Sequence, residues 1–460
     1  TYPLAREYAK IIKSINPKTY VFIGGPHITA LPEALDKNFD AGVLSEGEQQ
    51  FGELISLIQN NNYHPNSLKN IQGIVFRDEN SQIVNTGKRE WISNLDMIPP
   101  PKRSLLAKIS LKANDVPFQQ SIMTERGCPF KCEYCTAVAF WENIRCHSLE
   151  RVMLELEDII RSYPAQKMIT ISDDLFGLNK KKLRKLVDLI KGESFHKKVG
   201  FVVQTRASCF NEEVCSMLAE MNVKVACFGF ESSNDRVLKF LKGNGKAKDN
   251  QKSIDLCNKY GISVLGNFIV GSPTETASEM ADTYWFIRKN LDRMWRVHSC
   301  VSTPFPGTPW WEYAKQMNVV DDNFDRWEVL NLCFNSKETV YINDQVPKNE
   351  FGKILNSFYE VTVPQLQASA NEIDMKIMYD EFAKSQLANI ARTIDKQGIK
   401  ILEISGINPT IKPFIQRSEI VSRKIFNGYA ELLPDNESFD YILIPYSLEM
   451  LREPVKFLKM

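Results

Sequence analysis

From about Gln119 to Thr308 the chain alternates short apolar runs with stretches whose apolar residues recur every three or four positions. The runs are "QQSIMTE", "KMITISDD", "VGFVVQTRA", "VKVACFGFES", "ISVLGNFIVGS" and "RVHSCVSTPFPGT". Their apolar, β-type character over so few residues predicts strands. The intervening stretches, among them "LERVMLELEDIIRSY", "NEEVCSMLAEMN", "NDRVLKFLKG" and "DNQKSIDLCNKYG", predict amphipathic helices. Six such units in series predict a parallel sheet wrapped by helices. Six falls short of the eight of a closed barrel, so the expected form is α/β with an open, partial barrel.

Each predicted strand ends on polar residues. Cys128, Cys132 and Cys135 follow the first, Asp173 and Asp174 end the second, Arg206 ends the third and Glu231 the fourth. "VGSPTE" and "TPFPGT" close the last two. Loops at the carboxyl edge of a parallel sheet converge, so these residues are expected to share one site.

Upstream, "KTYVFIGGPHITALPEAL" reads as a buried strand, a Gly-Gly turn and a helix, and "DAGVLSEGEQQFGELISLIQ" repeats that order. This pattern is the second half of a doubly wound domain, placed over residues 1–62. Residues 63–117 are expected to hold a hairpin around Asp78 to Ser81 and the proline-stiffened linker "LDMIPPPKRS". The barrel is assigned to 118–310 and a mainly helical connection to 311–398. From Lys400, "KILEIS" opens a further, incomplete α/β unit over 399–460, and "LLPDNESFDYILIPYSLEMLREPVKFL" supplies its later loop, strand and helix.

At 460 residues the chain exceeds one ordinary domain. A net charge of +1 and 25% charged residues give no sign of a nucleic-acid or membrane surface. No apolar run reaches the roughly 18 to 20 residues of a membrane span, and no signal-like segment opens the chain, so the cytoplasm is the expected compartment. Thr1 at one end and a helical pattern running to Met460 at the other give the expectation of a piece of a longer chain. Ten cysteines without paired spacing are expected to be reduced thiols.

Three of those thiols carry the chemistry, in "TERGCPFKCEYCTAVAF". Structural zinc would need a fourth ligand, with Cys146 or His147 nearest, and a disulfide would leave one thiol over. The third alternative is an iron–sulfur cluster: three thiolates on a four-iron cluster leave one iron open for a substrate or cofactor.

The Cys-x3-Cys-x2-Cys spacing in "ERGCPFKCEYC" resembles the radical SAM superfamily. That resemblance implies a [4Fe-4S] cluster on Cys128, Cys132 and Cys135, with the amino and carboxylate groups of S-adenosylmethionine (SAM) on the open iron and Tyr134 near the adenine. It implies reductive cleavage of SAM to a 5′-deoxyadenosyl radical, with an electron donor such as flavodoxin or ferredoxin as partner. "ISDDLFGLN", "QTRAS" and "FGFESSNDRVLKFLKG" are similar to family strand ends, which implies SAM contacts from Asp173 or Asp174, Arg206 and Glu231. The competing readings are a helix cap or turn for the aspartates, a rim ion pair for Arg206 and a structural partner of a backbone amide for Glu231.

"FIGGPHITALPEALDKNFDAGVLSEGEQQFGELI" resembles the later half of the cobalamin-binding domain that precedes the barrel in B12-dependent radical SAM enzymes. The resemblance implies a corrinoid site at Gly24, Gly25, Pro26 and His27 and at Gly47 in the "SEGE" turn; His27 is expected near the corrin rather than as a cobalt ligand. A nucleotide-type fold without cobalamin is the alternative. His64, His147, His196 and His298 are expected on the surface or in satisfied packing, and Cys146, Cys209, Cys215, Cys227, Cys257, Cys300 and Cys333 as small core residues.

The carboxyl end resembles the start of a class I SAM-dependent methyltransferase, truncated and degenerate, since Ser405, Ile407 and Pro409 stand where glycines are usual. Together the resemblances imply cobalamin-dependent methylation of an unactivated carbon in a small-molecule or peptide substrate. A cobalamin-dependent cyclase or rearrangement enzyme and a non-catalytic cluster or cobalamin carrier are the alternatives.

Overall fold

The computed structural model describes residues 2–103, 120–164, 166–321, 324–330 and 339–372, and the backbone of three strands within 400–443; side-chain surroundings are described to residue 362. After the helix Tyr2–Ile15, strands β1 (Phe22–Gly24) and β2 (Ala41–Val43) pair in parallel, separated by the short helix Pro26–Ala30. The helix Glu48–Gln59 follows β2. Strands β3 (Ile74–Arg77) and β4 (Ile83–Asn85) form the expected hairpin, and β3 pairs antiparallel with β2. The hairpin therefore continues the first unit's sheet, in the order β1-β2-β3-β4.

The linker is pinned where it meets the barrel. Arg103 donates from Nη2 to the Ser121 carbonyl and to Glu155 Oε2, both at 2.9 Å, and the Tyr163 hydroxyl donates to the Arg103 carbonyl at 2.8 Å.

All six strands expected between Gln119 and Thr308 form: β5 (Gln120–Ile122), β8 (Met168–Ile171), β9 (Gly200–Thr205), β10 (Val223–Glu231), β11 (Ser263–Val270) and β12 (Arg296–Val301). A two-residue antiparallel pair, β6 (Glu125–Arg126) with β7 (Arg145–Cys146), lies between β5 and β8. The six pair in parallel in sequence order, and among the described residues β5 and β12 do not pair. The intervening helices start on polar caps. Ser148, Asn179, Asn211 and Asn234 each accept a backbone N–H, and Thr276 forms a capping box with Glu279.

Alternation along the strands divides the sheet. Ile169, Ile171, Phe201, Val203, Phe228, Phe230, Val264, Phe268, Val297 and Val301 bury themselves against the helices. Thr170, Gln204, Cys227, Asn267 and His298 occupy the alternate positions on the other face. The helix Lys348–Glu372 adds Phe351, Leu355, Phe358 and Val361 to the helix-side core.

A second core joins the amino-terminal unit to the segment after the barrel: Ile28, Leu35, Phe39 and Val75 pack with Trp310, Trp311, Trp327 and Ile342. At the turn after β12, Gly307 has φ +80°, and a Cβ there would stand 2.9 Å from Ala30 Cβ and 3.2 Å from Ala139 Cβ. Only glycine lets the turn sit this close to both helices.

Strands β13 (Lys400–Ile404), β14 (Ser422–Phe426) and β15 (Tyr441–Leu443) form a parallel sheet in the order β14-β13-β15. This places a strand at "KILEIS" as expected; Ser405, Ile407, Pro409 and Cys333 lie outside the described residues. Among the described residues no helix is long and apolar enough to cross a membrane.

Candidate active site

The three cysteines occupy the loop that β6 and β7 close, with Glu125 opposite Cys146 and Arg126 opposite Arg145. Gly127 opens the loop at φ +100°, where a Cβ would come within 2.6 Å of the Asn143 carbonyl oxygen, so another residue would push the loop off the hairpin. At the carboxyl end of β8, Asp173 grips the loop's base. Its Oδ1 accepts the backbone N–H groups of Thr124 (2.6 Å) and Glu125 (3.1 Å), and its Oδ2 accepts the Thr124 hydroxyl at 2.5 Å. Burial pushes the Asp173 carboxyl up to about 7 even though these bonds favour the charged form. Asp174, more exposed, accepts the Gly127 N–H at 3.1 Å.

Cys132 is buried; Cys128 and Cys135 are half-buried. Burial raises the Cys128 thiol above its ordinary range and pushes Cys135 up to about 11, so holding these two as thiolates requires positive charge nearby. One source is Arg206, whose Nη1 donates to Cys132 Sγ at 3.1 Å. Its guanidinium stacks on Phe130 at 4.0 Å and donates to the Lys242 carbonyl, Asn244 Oδ1 and Ser208 Oγ, each at 2.9 Å. The rim ion pair considered for Arg206 is therefore replaced by a buried thiol contact.

The half-buried Tyr134 joins the buried Glu231 and Lys242 in a second group beside the loop. The Tyr134 hydroxyl donates to Glu231 Oε1 at 2.6 Å, and Lys242 Nζ lies 3.7 Å from the same oxygen and donates to the Gly229 carbonyl. Glu231 follows a register shift in β10 and has φ +64°, a left-handed conformation that the surrounding bonds must hold. Burial and the neighbouring Glu231 raise the Tyr134 hydroxyl, and burial lowers the Lys242 ammonium. Lys242 escaped the sequence reading, though a signal existed: Val237, Leu238, Leu241 and Lys242 share the buried face of one helix.

The two candidates for a fourth zinc ligand make contacts of their own away from the three thiols. His147 Nδ1 faces Asp96 Oδ1 at 3.0 Å, and Cys146 Sγ lies 3.4 Å from Glu125 Oε2. Cys146 is exposed and not the small core residue expected, because β7 is only two residues long and half-covered. Among the described residues no three His, Cys, Asp or Glu side chains converge on a single metal position. A four-iron cluster carries its thiolates on separate corners, and three thiols with a cation on one sulfur fit that donor set.

The residues expected at the corrinoid site gather at the end of β1. Gly25, at φ +99°, has open space where its Cβ would stand. His27 stacks on Tyr2 at 3.9 Å and meets Trp327 edge-on at 4.6 Å; burial lowers it to about 4, and its Nε2 is buried without a hydrogen-bond partner. A cavity of about 260 Å³, lined by Pro26, His27, Thr136, Phe305, Pro306 and Trp327 among others, separates this turn from the residues just after Cys135. An open glycine turn, an unpartnered ring nitrogen and an apolar cavity suit the edge of a flat cofactor. Gly47 caps the helix Glu48–Gln59, and the adjacent Glu46 turns toward the cysteine loop.

The radical SAM superfamily pattern matches residues 122–287. The chain is 38% identical over 348 residues to the "Uncharacterized methyltransferase PH0819" of Pyrococcus horikoshii, covering 74% of this chain and 72% of that protein. It is 24% identical to the anaerobic magnesium-protoporphyrin IX monomethyl ester cyclase of Rubrivivax gelatinosus over 76% of this chain and 65% of the cyclase. Among solved structures, the radical SAM methyltransferase TsrM from Kitasatospora setae, with cobalamin and a [4Fe-4S] cluster bound, superposes with a TM-score of 0.58 at 18% identity over 78% of this chain and 75% of TsrM. The cobalamin-dependent radical enzyme OxsB with aqua-cobalamin bound gives 0.59 at 16% identity over 86% of this chain and 63% of OxsB. At these identities the two structures share the fold.

Proposed function

This chain belongs to the radical SAM superfamily, in the group that includes the Pyrococcus horikoshii methyltransferase, and from that premise we propose that it is a cobalamin-dependent radical SAM methyltransferase. The observation that carries the reading is the cysteine loop itself: three thiols at the carboxyl edge of a six-stranded parallel sheet, one already bonded to a buried guanidinium. Cys128, Cys132 and Cys135 would hold a [4Fe-4S] cluster; Gly24, Gly25, Pro26, His27 and Gly47 would line the cobalamin. When bound, the cluster and SAM supply a radical that removes a substrate hydrogen, and cobalamin supplies the methyl group.

The chain's own residues orient and shield. Arg206 offsets the charge of the thiolate at Cys132. Tyr134, Glu231 and Lys242 would wall one side of the loop, and Glu231 and Asp174 would be the carboxylates that meet SAM. Asp173, with both oxygens committed, positions the loop instead. The substrate is read as a small molecule or peptide bearing an unactivated carbon, the electron donor as a flavodoxin or ferredoxin and the compartment as the cytoplasm, where the thiols stay reduced.

The test is SAM turnover by the anaerobically reconstituted chain with dithionite and cobalamin, against a variant with Cys128, Cys132 and Cys135 all changed to alanine. 5′-Deoxyadenosine from the intact protein alone supports the cluster assignment, and accompanying S-adenosylhomocysteine supports methylation. 5′-Deoxyadenosine without S-adenosylhomocysteine favours the second reading, a cyclase, which the likeness to the Rubrivivax enzyme brings forward. Bound iron and sulfide with neither product overturns the radical reading in favour of a carrier.

A further inference from the structure

We propose that Glu46 is a positioning residue that locks the corrinoid turn to the cluster loop and holds the two cofactor sites in one register; this rests on the reading above. Arg126 and Arg145 stand directly opposite each other across the β6–β7 pair, where like charges repel. Glu46, arriving from the amino-terminal unit, closes that gap. Its Oε1 meets Arg126 Nη1 at 2.5 Å and its Oε2 meets Arg145 Nη1 at 2.8 Å, while the Ile92 N–H donates to Oε2 at 3.0 Å. Burial works against ionisation of Glu46, but the two guanidinium bonds outweigh it and hold the carboxyl below its ordinary range.

Both arginines are themselves held. Arg126 Nη2 pairs with Glu48 Oε1 at 2.6 Å, and the Arg145 guanidinium lies 5.0 Å from the Trp91 ring and 5.6 Å from that of Trp141. The contact continues back to the glycine turn: the Ser45 N–H donates to Thr29 Oγ1 at 2.9 Å, and Thr29 Oγ1 donates to the Gly25 carbonyl at 2.9 Å. Hydrogen bonds from Gly25 to Thr29 and from Thr29 to Ser45, the Ser45–Glu46 peptide link and the Glu46–Arg126 ion pair thus connect the glycine turn to Arg126, which is followed by Gly127 and Cys128. Paired units in one chain ordinarily move relative to each other. A substrate carbon that loses hydrogen at one cofactor site and gains a methyl group at the other must lie within reach of both, so the two sites must keep a fixed separation, which we assign to this bridge.

Linkage makes the claim measurable, because whatever steadies one end must steady the other by an equal factor. The full chain is reconstituted with iron and sulfide as wild type, Glu46→Gln and Glu48→Gln, the last removing only the charge of the outer partner of Arg126. Two quantities are read: the affinity for hydroxocobalamin, from its visible spectrum, with and without the cluster; and the rate of iron loss to a ferrous chelator, with and without hydroxocobalamin. In wild type the cluster is expected to tighten hydroxocobalamin binding about ten-fold, and hydroxocobalamin is expected to slow iron loss. In Glu46→Gln the factor falls to one, and Glu48→Gln lies between.

A purely structural role would lower the melting temperature of Glu46→Gln and leave the factor intact, which would overturn the proposal. If hydroxocobalamin binds none of the proteins, the cobalamin reading fails separately. The positioning claim then stands or falls on whether Glu46→Gln loses iron faster than wild type below its melting temperature. Should Glu46→Gln not fold, the double variant Glu46→Gln/Arg145→Gln, which relieves the facing charges, takes its place: a factor of one supports the bridge and an intact factor overturns it.

Discussion

Asp173→Asn separates the charge of a buried carboxylate from its shape. The asparagine Oδ1 keeps both backbone bonds, to Thr124 and Glu125, and its amide donates to the Thr124 hydroxyl in place of accepting from it. What disappears is a titration. Burial raises the folded-state value to about 7 from an ordinary 3.8, so the folded protein binds this proton more tightly than the unfolded chain does. The stabilisation is complete below the unfolded value and is lost as pH rises through the folded one. Between about pH 6 and about pH 8 linkage assigns a loss of about 1.4 kcal/mol to wild type from this group and none to Asp173→Asn. The assay is urea unfolding of the cluster-free chain at both values, scored as the variant-minus-wild-type difference so that shared titrations cancel. The variant should gain about 1.4 kcal/mol on wild type toward the alkaline end. A constant difference, or one of opposite sign, would refute the reasoning.

Glu275→Gln should behave the same way, because burial also pushes Glu275 up to about 7 while it accepts the N–H groups of Gly271 and Ser272; urea unfolding of the double variant with Asp173→Asn should show the two pH effects adding if the sites do not share partners. Asp173→Ala leaves two buried N–H groups unpaired at about 1–3 kcal/mol each, a loss that urea unfolding measures and the asparagine variant avoids. Arg206→Met removes a charge-assisted bond to the Cys132 sulfur, worth about 1.5–3 kcal/mol in favour of the more negative cluster. The cluster potential should fall by roughly 60 to 130 mV in an EPR-monitored redox titration, and an unchanged potential would count against the contact. Gly127→Ala combines an unfavourable φ with a collision at Asn143, so iron bound per chain after reconstitution should drop well below wild type although the fold survives by circular dichroism.

Much of the barrel is legible in the sequence because buried parallel strands announce themselves as uninterrupted apolar runs, and all six runs form strands in sequence order. The cysteine loop is equally plain, since its spacing is local. Contacts between distant stretches are hidden. Glu46 and Arg126 are 80 residues apart, and nothing in "SEGE" or "TERGC" alone says that each supplies half of an ion pair. Tyr134 and Glu231, 97 residues apart, each stand out in the sequence, but their mutual bond does not. The pair of aspartates illustrates the limit: neighbouring residues of one type differ in burial and role, and only the third dimension assigns Asp173 to the loop's base and leaves Asp174 in the open. The β6–β7 pair escapes notice because two-residue strands carry no periodicity.

Glu46, Arg126 and Arg145 also constrain how this protein can diverge. Losing the buried Glu46 leaves Arg126 and Arg145 facing each other with no carboxylate between them, at a cost that for a broken buried pair runs to about 3–5 kcal/mol and rivals the margin by which a domain stays folded. Stepwise drift at these positions passes through a poorly folded intermediate, so lineages are expected to retain the trio intact or to have exchanged it wholesale for uncharged partners. A census of related chains that found the three positions varying independently would mean that the bridge is dispensable.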